Sequence, residues 1–160
     1  FVLNTCITVC CICNYKIIGG NNKHDKLLSS LCMTMNHRIL LSKGLNLPTY
    51  PGESIYIPDM LVAIVALNKY ADMNNGKYRS TVRKWLKKAQ KEWIDDDTKL
   101  LVSFVDEEGK QYEGAPVKGS YSALNCYYLT SIDKDFAHEQ YERLKDLFWK
   151  DGFVSGLEEY

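Results

Sequence analysis

Apolar residues recur three and four positions apart along most of this chain, the spacing that gives a helix one buried face. The pattern predicts a first helix from Val2 to about Ile17, closed by Gly19-Gly20-Asn21-Asn22. A second runs from about His24 to Ser42 on Leu27, Leu28, Leu31, Met35, Ile39 and Leu40, and stops at Gly44 and Pro48. The third begins after Ile57 and carries Leu61, Ile64, Val65 and Leu67. It is apolar nearly all round, which implies burial on most sides. Asp72-Met73-Asn74-Asn75-Gly76 ends it, with Gly76 as the expected left-handed residue. The fourth, Lys77 to Trp93, turns Val82, Trp85, Leu86, Ala89 and Trp93 inward and its cations outward. After Asp95-Asp96-Asp97 the period shortens. Leu100–Val105, a turn at Glu107-Glu108-Gly109 and a return over Lys110–Tyr112 read as a small β-hairpin. A fifth helix, poor in charge, follows Ser120 to about Thr130. A sixth, Lys134–Trp149, is expected to bury Phe136, Tyr141, Leu144, Leu147 and Phe148. The result is an all-α chain, residues 1–160 as one domain, in which three hairpins alternate an apolar inner helix with an amphipathic outer one.

Composition narrows the classes. Lys and Arg total 20 and Asp and Glu total 20, so no basic excess is available for a nucleic-acid partner, and none is expected. The apolar run Phe1–Cys13 is too short for a bilayer and carries Asn4, Thr5 and Thr8, so it reads as a buried core helix and not as a membrane anchor. The chain opens on Phe1 and closes on an acidic run at Tyr160 without a terminal helix, as a piece of a longer protein would. Among the six cysteines, Cys6, Cys10, Cys11 and Cys13 lie close together. Cys6, Cys10 and Cys13 fall at the spacing of a helix face rather than of paired metal-binding turns, so buried thiols in a reducing compartment are expected and no metal. His24, His37 and His138 show no ligand spacing with one another. Asp95-Asp96-Asp97 lacks the alternation of a calcium loop and reads as a solvated turn.

The densest chemistry lies in Tyr50-Pro51-Gly52-Glu53-Ser54-Ile55-Tyr56-Ile57-Pro58-Asp59. Pro58 suits the first turn of a helix and Asp59 is favoured there by the helix dipole, so capping and ring packing alone would account for the segment. The functional reading takes it as part of a site. Cys126, on the fifth helix near Ser120 and Asn125, is a second candidate, with core packing as its plainer explanation.

Several segments in order resemble the linalool dehydratase/isomerase-like family. They are Tyr50-Pro51-Gly52, Ile57-Pro58-Asp59 opening an apolar helix, the Thr98–Gly109 hairpin, Gly119-Ser120 opening another, Ile132-Asp133 before Phe136-Ala137-His138-Glu139-Gln140-Tyr141, and Gly156-Leu157-Glu158-Glu159-Tyr160. The likeness runs from roughly Leu27 to Tyr160. It implies an α/α toroid of six helical hairpins, of which this chain would supply about half. It also implies a central cavity closed by loops at the inner-helix starts, and a metal-independent, cofactor-free hydro-lyase or isomerase working on a small alcohol. The chain departs from the commoner pattern in having Ile57 where Trp precedes Pro-Asp. Dehydration needs an acid for the leaving hydroxyl and a base for the carbon-bound proton. Asp59 and Glu53 are the candidates, with Cys126 a further acid or base, Tyr50 and Tyr56 orienting the hydroxyl, and Ser120 and Asn125 contacting substrate. Two other readings stay open: a glycan-active toroid using carboxylates and stacked tyrosines, and a non-catalytic helical scaffold. Half a toroid would expose apolar inner faces, so self-association of the chain is expected.

Overall fold

An apolar helix with no face fit for water must be covered from every direction, and the third helix organises the molecule for that reason. The computed structural model describes residues 2–21, 23–48, 52–150, 156, 157 and 159. Among them six helices form: α1 (Val2–Ile17), α2 (Asp25–Leu41), α3 (Ile57–Met73), α4 (Arg79–Glu92), α5 (Gly119–Leu129) and α6 (Lys134–Phe148). Four two-residue strands accompany them: β1 (Ile55–Tyr56), β2 (Phe104–Val105), β3 (Trp149–Lys150) and β4 (Gly156–Leu157). Ile57, Leu61, Ala63, Ile64, Ala66 and Leu67 on α3 are fully enclosed. Each large aliphatic side chain among them stabilises the fold by about 2 kcal/mol through burial.

The covering is done in two rows. α1 and α5 flank α3 and run in its direction. Cys6 lies level with Asp59 near one end of α1 and α3, and Lys69 Nζ donates to Asn14 Oδ1 at 2.8 Å towards the other. Tyr56 meets Tyr121 at the starts of α3 and α5, while Asn68 Nδ2 donates to the Ser131 carbonyl at 3.0 Å beyond their far ends. Each inner helix turns back into an outer partner, α2, α4 or α6. The α1–α2 turn is clamped by a Lys16–Asp25 ion pair, and the α3–α4 turn by Arg79 on Asp72 at 2.6 Å. Gly76 takes the left-handed conformation that ends α3, with φ +79°, and its amide donates to Ala71 O at 2.8 Å. Tyr78 is also left-handed, at φ 72°, an uncommon state for a residue with a side chain. Its ring stacks on Tyr70 at 5.7 Å, which offsets the strain.

The small β-hairpin is present, and it does more than close on itself. Val105 bridges Gln111 across the Gly109 turn, and β2 also pairs antiparallel with β1, Ile55 opposite Val105 and Tyr56 opposite Phe104. The chain entering α3 is thereby fixed to the hairpin. Trp93 Nε1–H donates to the Gly109 carbonyl at 2.8 Å. Gly109 in turn backs onto Gly44, where an added Cβ would stand 2.8 Å from the Gly109 nitrogen. Asp95 Oδ1 accepts from both the amide and the hydroxyl of Thr98 at 2.7 Å, so it holds its own turn while Asp96 and Asp97 face solvent.

Several facings differ from the sequence expectation. α1 buries one stripe, Cys6, Val9 and Cys13, and leaves Ile7, Tyr15 and Ile17 exposed. The stripe of α2 is Leu28, Cys32, Met35 and Ile39, spaced four, three and four, so Leu27 and Leu40 fall outside it. On α6, Tyr141 and Leu147 are exposed and Gln140 is buried in their place. The reason is a backbone need. Gln140 Oε1 accepts from Leu101 N at 2.7 Å and Nε2 donates to Lys99 O at 3.1 Å, satisfying two groups of the hairpin approach that no ladder reaches. No helix among the described residues is long and apolar enough to cross a membrane.

Gln140→Leu keeps the volume and removes both bonds. We predict a loss of about 3 kcal/mol in urea unfolding, from two stranded backbone groups. A loss under 1 kcal/mol would show that water reaches these groups and that the amide is dispensable.

Candidate functional site

Asp59 projects from the first turn of α3, where Pro58 starts the helix and Tyr56 precedes it in extended conformation. It is half-buried, and burial alone raises its carboxyl above the usual carboxylate range. No described residue donates a hydrogen bond to it. Around it stand groups from both flanking inner helices. On α1, burial pushes the Cys6 thiol up to about 12, with the charges of Cys10 and Asp59 adding to the effect. On α5, the Tyr128 phenol is raised by burial and then by Tyr127, Asp59 and Cys10. Lys69, the one cation on α3, acts in the other direction on Cys10 and Cys13. The assembly is a carboxyl, thiols and a phenol, all biased toward their neutral, proton-bearing forms.

The residues expected from the sequence are placed unevenly. Tyr50 lies outside the described residues. Glu53 is exposed on the loop before β1, and its charge does not register at Asp59, so the expected carboxylate pair is not assembled. Tyr56 is partly open and sits edge-on to both Phe104 and Tyr121, at 5.9 Å from each. Ser120 is engaged already: its amide and hydroxyl donate to the two carboxylate oxygens of Glu159 at 3.1 and 3.0 Å. That carboxylate occupies the start of α5, where a helix dipole favours negative charge. Cys126 faces away from Asp59, packed with Leu100, Val117, Leu144 and Phe148, and burial lifts its thiol to about 11. Asn125 is enclosed, and neither end of its amide finds a partner among the described residues.

No family model matches this chain, and no curated protein matches it. The geometry therefore carries the argument. In the sequence Cys6 and Cys10 read as buried thiols, and Tyr128 and Lys69 carry no assigned role. Of these Lys69 left a signal, as the one cation on the largely apolar α3. No group of three or more His, Cys, Asp or Glu among the described residues is placed to hold a metal ion.

Two concavities lie away from Asp59. One, of about 560 Å³, opens beside the hairpin and is edged by Asp96, Asp97, Phe104, Tyr112 and Glu113. Phe104 and Tyr112 stand 5.5 Å apart there, so a row of rings, Tyr121–Tyr56–Phe104–Tyr112, leads from the start of α5 to this cleft. The other is a groove of about 620 Å³ between α5 and α6.

Thiolates react and thiols do not, so burial predicts the labelling order. Iodoacetamide at pH 7.5 should modify exposed Cys11 on the folded chain and leave Cys6, Cys13, Cys32 and Cys126 intact until denaturant is added. Peptide mass spectrometry reads the sites. Labelling of Cys126 as fast as Cys11 would mean that the α5–α6 packing opens in solution.

Proposed function

We propose that this chain forms one wall of an acid–base site of lyase or isomerase type, acting on a small alcohol in the manner of the linalool dehydratase/isomerase-like family. The observation that carries the reading is Asp59, which lies at the start of the central helix with a raised pKa, no hydrogen-bond donor among the described residues, and thiol and phenol groups of raised pKa on either side. Parallel inner helices backed by antiparallel outer ones are also what an arc of an α/α toroid would have, with its site at the inner-helix starts.

One carboxyl suffices for the chemistry. Protonated Asp59 gives its proton to the substrate hydroxyl, and the C–O bond breaks with both electrons leaving on water. The resulting carboxylate then takes a proton from the neighbouring carbon, whose C–H electrons become the new double bond. Asp59 ends as it began. A raised pKa serves both halves, since the group keeps its proton to higher pH than a free carboxyl and is a stronger base once ionised. Tyr128, whose phenol feels the Asp59 charge from α5, would hold the hydroxyl.

Asp59→Asn should lower turnover of a tertiary allylic alcohol by roughly 100-fold or more, read as alkene by gas chromatography, while Glu53→Gln stays within about twofold of the parent. Stability should move the other way. The folded pKa of Asp59 lies above its unfolded value, so the folded chain binds the proton more tightly, and stability falls as pH rises from the ordinary carboxyl range through the folded value. Asn carries no such penalty, so the variant should melt higher at pH 7. Full turnover in the variant would remove Asp59 from the chemistry.

The ring row favours a second reading, a glycan ligand stacked along Tyr56, Phe104 and Tyr112 with Asp96, Asp97 and Glu113 meeting its hydroxyls. Retardation of the chain in gels cast with oligosaccharide, relieved by Tyr112→Ala, would support it. Unchanged mobility in such gels would set it aside.

A further inference from the structure

The α5–α6 groove has a charge pattern that the Asp59 site does not explain. Its floor is apolar, formed by Ala123 and Cys126 from α5 and by Ala137 and Leu144 from α6, with Tyr127 and Trp149 as walls. The stripe of α6 that borders it is Lys134, His138, Tyr141 and Lys145, spaced four, three and four and hence on one face. The carboxylates of this helix, Asp135, Glu139, Glu142 and Asp146, follow one position behind each and fall on the next flank around. None of them lines the groove. Lys145 is committed to Glu142 at 2.9 Å and lies over the Tyr141 ring. Lys134 makes no ion pair among the described residues and stands in the first turn of α6, where the dipole adds to its positive field.

We infer that this groove binds a single-chain amphiphile with an anionic head, of the fatty-acid class. The carboxylate sits at the Lys134–His138 end and the alkyl chain lies along the floor toward Trp149. From Lys134 to Lys145 the slot runs about 16 Å along the helix, an elongated shape suited to an extended chain. Its volume of about 620 Å³ is within the range of small-molecule sites. The occupant is defined by charge complementarity, because Lys145 is already met by Glu142 and a purely apolar partner would leave the Lys134 charge at the other end of the groove unanswered.

Trp149 makes the test direct. Trp85 and Trp93 are fully buried in the main core, so the fluorescence change on filling the groove belongs to Trp149 at its edge. Laurate, titrated below its micellar concentration into the full chain, should give a saturable change. Dodecyltrimethylammonium, with the same tail and the opposite charge, should bind at least tenfold more weakly. Lys134→Glu, an exposed change at a helix start that tolerates acids, should cut laurate affinity about tenfold and narrow that preference. Asp59→Asn should leave laurate binding unchanged, which separates this site from the proposed reaction. Equal binding of both amphiphiles, or an unaltered titration in Lys134→Glu, would overturn the inference. So would a dimer by size exclusion with Trp149 silent to laurate, since the groove would then be filled by a second copy of the chain.

Discussion

The structure depends on the need to bury α3 from every side. A helix with Leu61, Val62, Ala63, Ile64, Val65, Ala66 and Leu67 in succession has no stripe to offer water. Two neighbours in its own row cannot cover it, and a second row behind is required. The outer helices can serve because they are amphipathic: α4 gives Val82, Trp85 and Ala89 to the core and a run of cations to solvent. Short turns then decide direction. Each inner helix reverses into its outer partner, and all three inner helices start at the same end.

That shared start brings the opening turns of α1, α3 and α5 together around Asp59. Side chains in the first turn of α3 are overlooked by the flanking helices but not covered by the outer row, so Asp59 is dried without being sealed. The hairpin strengthens the arrangement by pairing β2 with β1 immediately before Asp59. Register across those two strands places Tyr56 beside Phe104, and the rings continue to Tyr112 on one side and Tyr121 on the other. The entry to the central helix is therefore held by backbone bonds below and aromatic edges above.

How much of this was legible in the sequence varies with the kind of signal. Helix existence and order followed from three-and-four spacing, and the end of α3 followed from Gly76, because both are local. The hairpin turn was legible for the same reason. What could not be read was which of two adjacent stripes turns inward, as on α2, where Leu28 is chosen over Leu27. That choice belongs to the partner helix. Gln140 shows the point sharply: a polar residue takes a core position over Tyr141 because two distant backbone groups, at Leu101 and Lys99, need it. The site divides in the same way. Asp59 was visible from its loop, whereas Cys6, Cys10 and Tyr128 reach it only through the packing of α1 and α5 on α3. Cys126 and Asp59 each lie on inner helices, yet rotation of α5 turns the thiol toward α6 instead.

The plainer explanation of Asp59, helix capping, can be judged against a second aspartate in the same molecule. Asp133 precedes α6 and behaves as a cap should: its carboxylate accepts from the Phe136 amide at 3.0 Å. Asp59 lies inside the first turn of α3 and accepts nothing from its own helix. A carboxyl kept there purely for stability would either reach a donor or stay fully in water, where the dipole alone rewards it by less than about 1 kcal/mol. Asp59 does neither, and it pays a desolvation cost that asparagine or serine at the same position would avoid. Glu159 sharpens the contrast. At the start of α5 a carboxylate again meets a helix end, and there it takes bonds from both the Ser120 amide and hydroxyl. Asp25 in the first turn of α2 is likewise paired, with Lys16, so of the four helix starts that meet an acid among the described residues three are satisfied and that of α3 is left open. The acid at the most enclosed of these starts has no donor among the described residues and is not explained by capping, and the proton-transfer role proposed for it would use that arrangement.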